Sequence, residues 1–185
     1  MHDFKSSLAF SHNASDWEGW KAIYESFFGE GAHLVDHRQD GDHQRAGIDR
    51  SVILPNSRQV LVDEKVRGRN RKTGKVYSDI ALEFWSDRDR QERGWIAKAL
   101  RCEFIAYAIL PLGVCYLLPF QQLRAAWKMN CKAWVEKYHK RTSDNKDPVT
   151  GREWTTVFCP VPQDVVFRAI AECSIAKFEP IEFEE

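Results

Sequence analysis

Three runs set the reading of this chain: Gly47-Ile48-Asp49-Arg50-Ser51-Val52-Ile53-Leu54, Gln59-Val60-Leu61-Val62-Asp63-Glu64-Lys65, and Ile80-Ala81-Leu82-Glu83-Phe84-Trp85. Val, Ile and Leu dominate the first two runs, as in strands that pack on a core. Pro55-Asn56-Ser57 supplies turn chemistry between the first two. Residues 47–54 and 58–66 therefore predict a strand pair. Their nearly continuous apolar character predicts central positions covered on both faces. Residues 79–86 predict a third, adjacent strand. Each run carries charged residues directly against its apolar stretch.

Residues two apart in a strand share a face, so Asp63 and Lys65 point the same way and Glu64 the other. A register that sets Asp49 beside Asp63 brings two carboxylates together. At about 4 Å they repel by roughly 4 kcal/mol at an effective dielectric of ~20. A divalent cation removes that cost, and carboxylate oxygens are the donors that Mg²⁺ prefers. Lys65 is placed to steady an attacking water or the charge developing on a phosphate. Glu83, from the third strand, is expected to complete the cation shell or to orient Lys65. The plainer alternative is a set of exposed strand ends joined by salt bridges.

Outward from this centre, Ser15-Asp16-Trp17-Glu18 fits a capping box, and Trp17, Trp20, Tyr24, Phe27 and Phe28 recur at helical spacing. They predict an amphipathic helix ending near Gly29 or Gly31. Residues 33–46 read as a polar loop. His33 and His37 within it stand at a zinc-site spacing, with His43 a third candidate ligand. Residues 67–75 hold Arg67, Arg69, Arg71, Lys72 and Lys75, a basic loop suited to a phosphate backbone. Phe104 to Leu118 predicts a hairpin about Pro111-Leu112-Gly113. Pro119 opens a long helix whose Arg124, Lys128 and Lys132 form a basic stripe. Residues 142–152 read as a loop containing Pro148, Trp154 to Val161 as a strand, and Pro162 onward as a last helix through about Cys173. The tail is acidic.

The chain of 185 residues suits one domain, 1–185, with a core large enough to need no covalent staple. The 27 basic and 27 acidic residues cancel, so nucleic-acid binding must rest on local patches. Five cysteines without a C-x-x-C pair point to free thiols in a reducing compartment. Met1-His2-Asp3-Phe4-Lys5 has no apolar signal core, and Pro111 and Gly113 break the longest apolar run. A cytoplasmic protein with no membrane partner is expected.

The order Asp49, then Asp63-x-Lys65, resembles the PD-(D/E)XK nuclease superfamily. His43-Gln44-Arg45-Ala46-Gly47-Ile48-Asp49 looks like the Gln-x-x-Gly-Ile-Asp of some phage-type and uncharacterised members. Asp79-Ile80-Ala81-Leu82-Glu83 followed by Gly94-Trp95 is similar to the same subgroup. The resemblance spans about residues 15 to 140. It implies a restriction-endonuclease-like αβββαβ core of the α/β (α+β) class, with a mixed central sheet flanked by helices. It also implies a Mg²⁺-dependent deoxyribonuclease, with Mn²⁺ as a substitute, acting on DNA, and it admits a homodimer. Asp49, Asp63 and Lys65 would be the active-site triad, supported by Glu83. Glu64 is a further candidate metal ligand, and Gln44 joins Arg67, Arg69, Arg71, Lys72 and Lys75 as candidate nucleic-acid contacts. No proline precedes Asp49, and Glu64 stands where an apolar residue is usual. Glu64 must therefore find a partner on the far face, for which Arg67 is the candidate, or turn into the site. The alternative function is an inactive nuclease-fold protein that binds nucleic acid or a protein partner.

Overall fold

The computed structural model describes residues 19–70, 73–147 and 150–175. The fold is mixed α and β, with two sheets and several helices. The capping box Ser15 to Glu18 with Trp17, the loop residues Arg71 and Lys72, Pro148 and the acidic tail lie outside the described residues.

The first sheet has five strands. Helix α1 (Gly19–Phe28) leads to β1 (His33–Asp36), and the short α2 (Gly41–Ala46) leads to β2 (Arg50–Ile53) and β3 (Gln59–Arg67). These three strands form an antiparallel meander. The other edge of β3 is taken by β6 (Phe104–Ile109), which runs parallel to it and pairs antiparallel with β7 (Val114–Pro119). The sheet order β1-β2-β3-β6-β7 is thus mixed, with β3 at its centre.

The alternation of β3 separates two cores. Val60 and Val62 face α1 and pack with Trp20, Tyr24, Val52, Ala106 and Ala108. The opposite face of the sheet carries Asp63, Lys65 and Arg67 on β3, with Ile105, Tyr107 and Ile109 on β6. Ile105, Tyr107 and Ile109 belong to the larger core.

That larger core is shared with the second sheet, ordered β5-β4-β9-β8 and antiparallel throughout. Its strands are β4 (Asp79–Asp87), β5 (Glu92–Arg93), β8 (Arg141–Lys146) and β9 (Glu153–Pro162). Helices α3 (Phe120–Tyr138) and α4 (Gln163–Cys173) supply Leu123, Trp127, Trp134, Val166 and Ile170 to it. A fully buried side chain such as Leu123 or Val166 contributes about 1.5–3 kcal/mol.

The hairpin, the long helix after Pro119, the strand from Trp154 and the final helix agree with the sequence reading within a residue or two. Three expectations are corrected. The run at 79–86 is a strand, but it does not neighbour β3. The edge of β3 is filled by the apolar β6, while Ile80 and Leu82 of β4 pack with Cys159 and Val161 of β9. The polar stretch 33–46 is not all loop, since it holds β1 and α2. Residues 141–146 form β8 rather than part of a loop. Among the described residues, no helix is long and apolar enough to cross a membrane, and all five cysteines are free.

Candidate active site

Asp49 is set by the turn before it. Asp40 caps α2, its carboxylate accepting from the backbone N–H groups of Asp42 at 2.9 Å and His43 at 3.3 Å. Gly47 ends that helix in the left-handed region, φ 68°, where a β-carbon would also lie 2.6 Å from Leu100 Cδ2. The chain then enters β2 with Arg50 opposite Val62, and one further step of that register sets Asp49 opposite Asp63. The Asp49 N–H donates to Val62 O at 3.0 Å, and Asp49 Oδ2 accepts from the Glu64 N–H at 2.8 Å. The backbone of β3 thereby fixes the carboxylate it faces.

Asp63 is buried, with its side chain 6% exposed. Lys65 Nζ donates to Asp63 Oδ1 at 2.7 Å. Asp63 Oδ2 is buried with no hydrogen-bond partner among the described residues. Burial pushes the Asp63 carboxyl up to about 7, against the pull of Lys65 and with a further push from Asp49. Burial pulls the Lys65 ammonium down, but the carboxylates of Asp63, Asp49 and Glu83 outweigh it and hold it above the ordinary lysine range.

Glu83 reaches this group from the second sheet. The Asp79, Ala81, Glu83 face of β4 lies against Arg67, Tyr107 and Lys65. Arg67 donates to Asp79 Oδ1 at 2.5 Å, and the Ala81 N–H donates to Tyr107 Oη at 2.9 Å. Burial raises the Glu83 carboxyl, while Lys65 and the Trp95 backbone N–H draw it back. Gly94-Trp95 therefore has a physical task. The Ile96 N–H donates to Glu83 O at 3.2 Å, and a β-carbon on Gly94 would stand 2.3 Å from that same oxygen. Gly94→Ala is expected to shift the β4 irregularity between Glu83 and Trp85 and to cost about 1–3 kcal/mol, read as a lowered melting temperature. An unchanged melt would show that β4 and the Gly94 turn separate freely.

Glu64 is corrected in both of its expected roles. It points away from Asp63 to the α1 face, where its Oε1 accepts from Tyr24 Oη at 2.9 Å and Arg50 Nε at 2.5 Å. Arg50 leaves β2 on the same face one diagonal step from Glu64, whereas Arg67 lies on the opposite face and pairs with Asp79. Glu64 thus does not join Asp49 and Asp63 as a ligand, and its partner is Arg50. Burial pushes its carboxyl up to about 7 against the pull of Arg50.

A cavity of about 750 Å³ opens over Asp63 and Lys65. Glu83, Lys98, Gln44, Arg45, Arg67 and Tyr107 also line it, and Asp49 stands against Asp63 just outside the lining. Gln44 is exposed on α2 and donates to Arg38 O. Arg67 is half-buried, its guanidinium 4.2 Å from the Tyr77 ring centre and 5.6 Å from that of Phe158. Arg69 and Lys75 are exposed on the turn between β3 and β4, and Arg71 and Lys72 lie outside the described residues. The far wall is formed by Ser143, Asn145, Thr156 and Phe158, none of which the sequence reading singled out. Their signal was the period-two spacing of Ser143 with Asn145 and of Thr156 with Phe158.

The histidines do not gather around a cation. His37 and His43 stack with ring centres 4.0 Å apart, His37 bonded to Ser51 Oγ at 2.7 Å and His43 to Asp40 at 2.8 Å. Among the described residues, no group of three or more His, Cys, Asp or Glu side chains is arranged to hold a metal. What remains is a two-carboxylate site with one buried oxygen unsatisfied, which suits a hard cation that keeps several waters. No protein-family model matches the chain, and no curated protein or solved structure matches it either.

Proposed function

We propose that this chain is a metal-dependent nuclease that hydrolyses DNA phosphodiester bonds on a restriction-endonuclease-like core. The observation that carries the reading is Asp63. It is a buried carboxylate set against a second one, with one oxygen on Lys65 and the other unsatisfied, under an open polar cavity. The antiparallel β1-β2-β3 followed by a parallel β6 also supports a PD-(D/E)XK arrangement, with Asp49 at the head of β2 and Asp63-x-Lys65 on β3. The link from β3 to β6 departs from αβββαβ. It runs through β4 and β5 and has no helix among the described residues.

Asp49 and Asp63 would hold Mg²⁺ or Mn²⁺, which when bound supplies Lewis acidity and a more acidic water. Lys65 holds Asp63 in place and presents a proton-rich cation to a phosphate in the cavity. Glu83 keeps that ammonium oriented from the opposite sheet. Arg67 and Lys98 add positive charge along the lining.

The competing reading is a nuclease-fold protein that grips nucleic acid or a protein partner without cutting. It is favoured by the 2.7 Å Lys65–Asp63 pair, which already neutralises one carboxylate. A cleavage panel separates the two, using single-stranded, duplex and branched DNA with Mg²⁺, Mn²⁺ or EDTA. Metal-dependent products from the wild type and none from Lys65→Ala support hydrolysis. Intact substrate with every metal, alongside measurable binding, supports the alternative.

A further inference from the structure

The far wall of the cavity has a chemistry of its own. Glu83 pairs with Phe158 across β4 and β9, and Ser143 pairs with Thr156 across β8 and β9. Steps of two along each strand then place Glu83, Phe158, Thr156, Ser143 and Asn145 on one face of the second sheet. That face looks across the cavity at Asp63 and Lys65. Ser143, Asn145 and Thr156 are uncharged hydrogen-bonding groups. Asn145 Nδ2 donates to Thr156 Oγ1 at 2.9 Å and to Ser143 O at 3.0 Å, which holds the amide in a fixed orientation. Beside them lies the Phe158 ring, with the Arg67 guanidinium 5.6 Å from its centre. Such neutral groups also contact phosphate, but set beside an aromatic ring and without a cation among them they suit the edge of a base, whose face stacks on the ring.

The space between the walls sets the form of the ligand. Its volume of about 750 Å³ falls in the range of about 300–1,000 Å³ that encloses a small-molecule ligand. At the inner end, Arg67 already bridges from β3 to Phe158 on β9. The Asp63 side chain is 6% exposed and lines the cavity, so a phosphate meets it through the cavity. One nucleotide fits within that volume, and an unpaired strand delivers one there without opening a base pair. Enzymes with such recessed sites act on single strands or draw a nucleotide out of the stack.

We propose that the Ser143, Asn145, Thr156, Phe158 face is a nucleoside subsite, and that the chain takes its DNA as an unpaired strand. This rests on the nuclease reading for the position of the phosphate, but it concerns binding and is tested without cleavage. Fluorescence anisotropy would be measured in EDTA and in Ca²⁺, with a labelled oligothymidylate of about 12 nucleotides and a labelled duplex of the same length. The expected result is binding to the single strand at least about tenfold tighter than to the duplex. Ser143→Glu, which puts a negative charge on the wall away from Asp63 and Lys65, is expected to weaken single-strand binding at least about tenfold with an unchanged melting temperature. Asn145→Ala is the second variant, expected to weaken it several-fold by removing the oriented amide. Equal affinity for duplex and single strand overturns the proposal, and so do stably folded Ser143→Glu and Asn145→Ala proteins that both bind as the wild type does. Single-strand binding that passes both criteria without any Mg²⁺-dependent cleavage leaves the subsite standing and removes the hydrolytic reading. Cleavage of duplex without single-strand preference does the reverse.

Discussion

Asp63→Asn is expected to abolish metal-dependent cleavage and, at the same time, to stabilise the metal-free protein at pH 8. The two effects share one cause. Asp63 is buried beside Asp49, and one of its oxygens has no hydrogen-bond partner among the described residues. Its carboxyl rises from 3.8 to about 7, which corresponds to about 4 kcal/mol for the ionised form, at ~1.4 kcal/mol per tenfold. The folded chain therefore binds this proton more tightly than the unfolded chain does. Between about pH 4 and pH 7 the unfolded state has released a proton that the folded state keeps. The stability of the metal-free protein then falls as pH rises through that window, and it levels off above about pH 7.

Asparagine has the shape of the carboxylate without its charge or its titration. Lys65 loses one of three nearby carboxylates and keeps Asp49 and Glu83. The net gain for Asp63→Asn at pH 8 in EDTA is therefore set at about 1–3 kcal/mol, below the full electrostatic cost. Urea unfolding at pH 5 and pH 8, with EDTA or with Mg²⁺, checks it. The wild type should lose stability from pH 5 to pH 8 and recover part of it with Mg²⁺, whereas Asp63→Asn should keep only the smaller loss that Glu64 and Glu83 carry and show little response to Mg²⁺. Cleavage should fall by at least about 10³-fold, the scale on which a preorganised electrostatic group acts. An asparagine variant that is less stable than the wild type at pH 8, and equally responsive to Mg²⁺, would sink the idea of a strained cation site.

Asp49, Asp63 and Lys65 were legible in the sequence because strand alternation is local. An aspartate after a strand-opening glycine, and a lysine two residues past an aspartate, fix their faces without knowledge of the rest of the chain. The face of Glu83 was legible on the same grounds, but its sheet was not. An apolar run such as Ile80 to Trp85 reads the same beside β3 or beside β9, and only β6, some forty residues on, decides by filling the edge of β3. Helix α2 has six residues and no buried side chain, and its formation rests on the Asp40 cap and the Gly47 end rather than on apolar periodicity. Strand β8, Arg-Thr-Ser-Asp-Asn-Lys, has no apolar residue at all and exists by pairing with β9. The far wall of the cavity was hidden for that reason. Glu64 was legible as a residue in need of a far-face partner. Its pairing with Arg50 rather than Arg67 follows from the β2–β3 register, which no single strand reveals.

Arg50→Met is expected to destabilise the protein by about 3 kcal/mol at pH 8 and by much less at pH 5. Arg50 and Glu64 form a buried pair, 11% and 3% exposed, under Tyr24 of α1. Removing one partner of such a pair costs about 3–5 kcal/mol when the other charge is left in place. Glu64 has an escape, which is to take up a proton. Burial already raises its carboxyl to about 7, and Arg50 is the largest influence pulling it down, so without Arg50 it rises further. At pH 5 the folded variant holds Glu64 neutral and its unfolded chain is partly protonated too, so little is lost. As pH rises toward 8 the unfolded chain ionises freely while the folded one must hold the proton or bury the charge, and stability declines throughout that range. Adding Glu64→Gln to Arg50→Met removes the Glu64 titration, and the double variant should lose from pH 5 to pH 8 only what Asp63 and Glu83 account for. The coupling reaches the site through one bond, since the Glu64 N–H donates to Asp49 Oδ2 at 2.8 Å. Cleavage by Arg50→Met should therefore drop several-fold even at pH 8 and low temperature, where the chain is still folded, and the double variant should recover part of it. Equal destabilisation at pH 5 and pH 8 would instead assign Arg50 a packing role, with Glu64 held by Tyr24 alone.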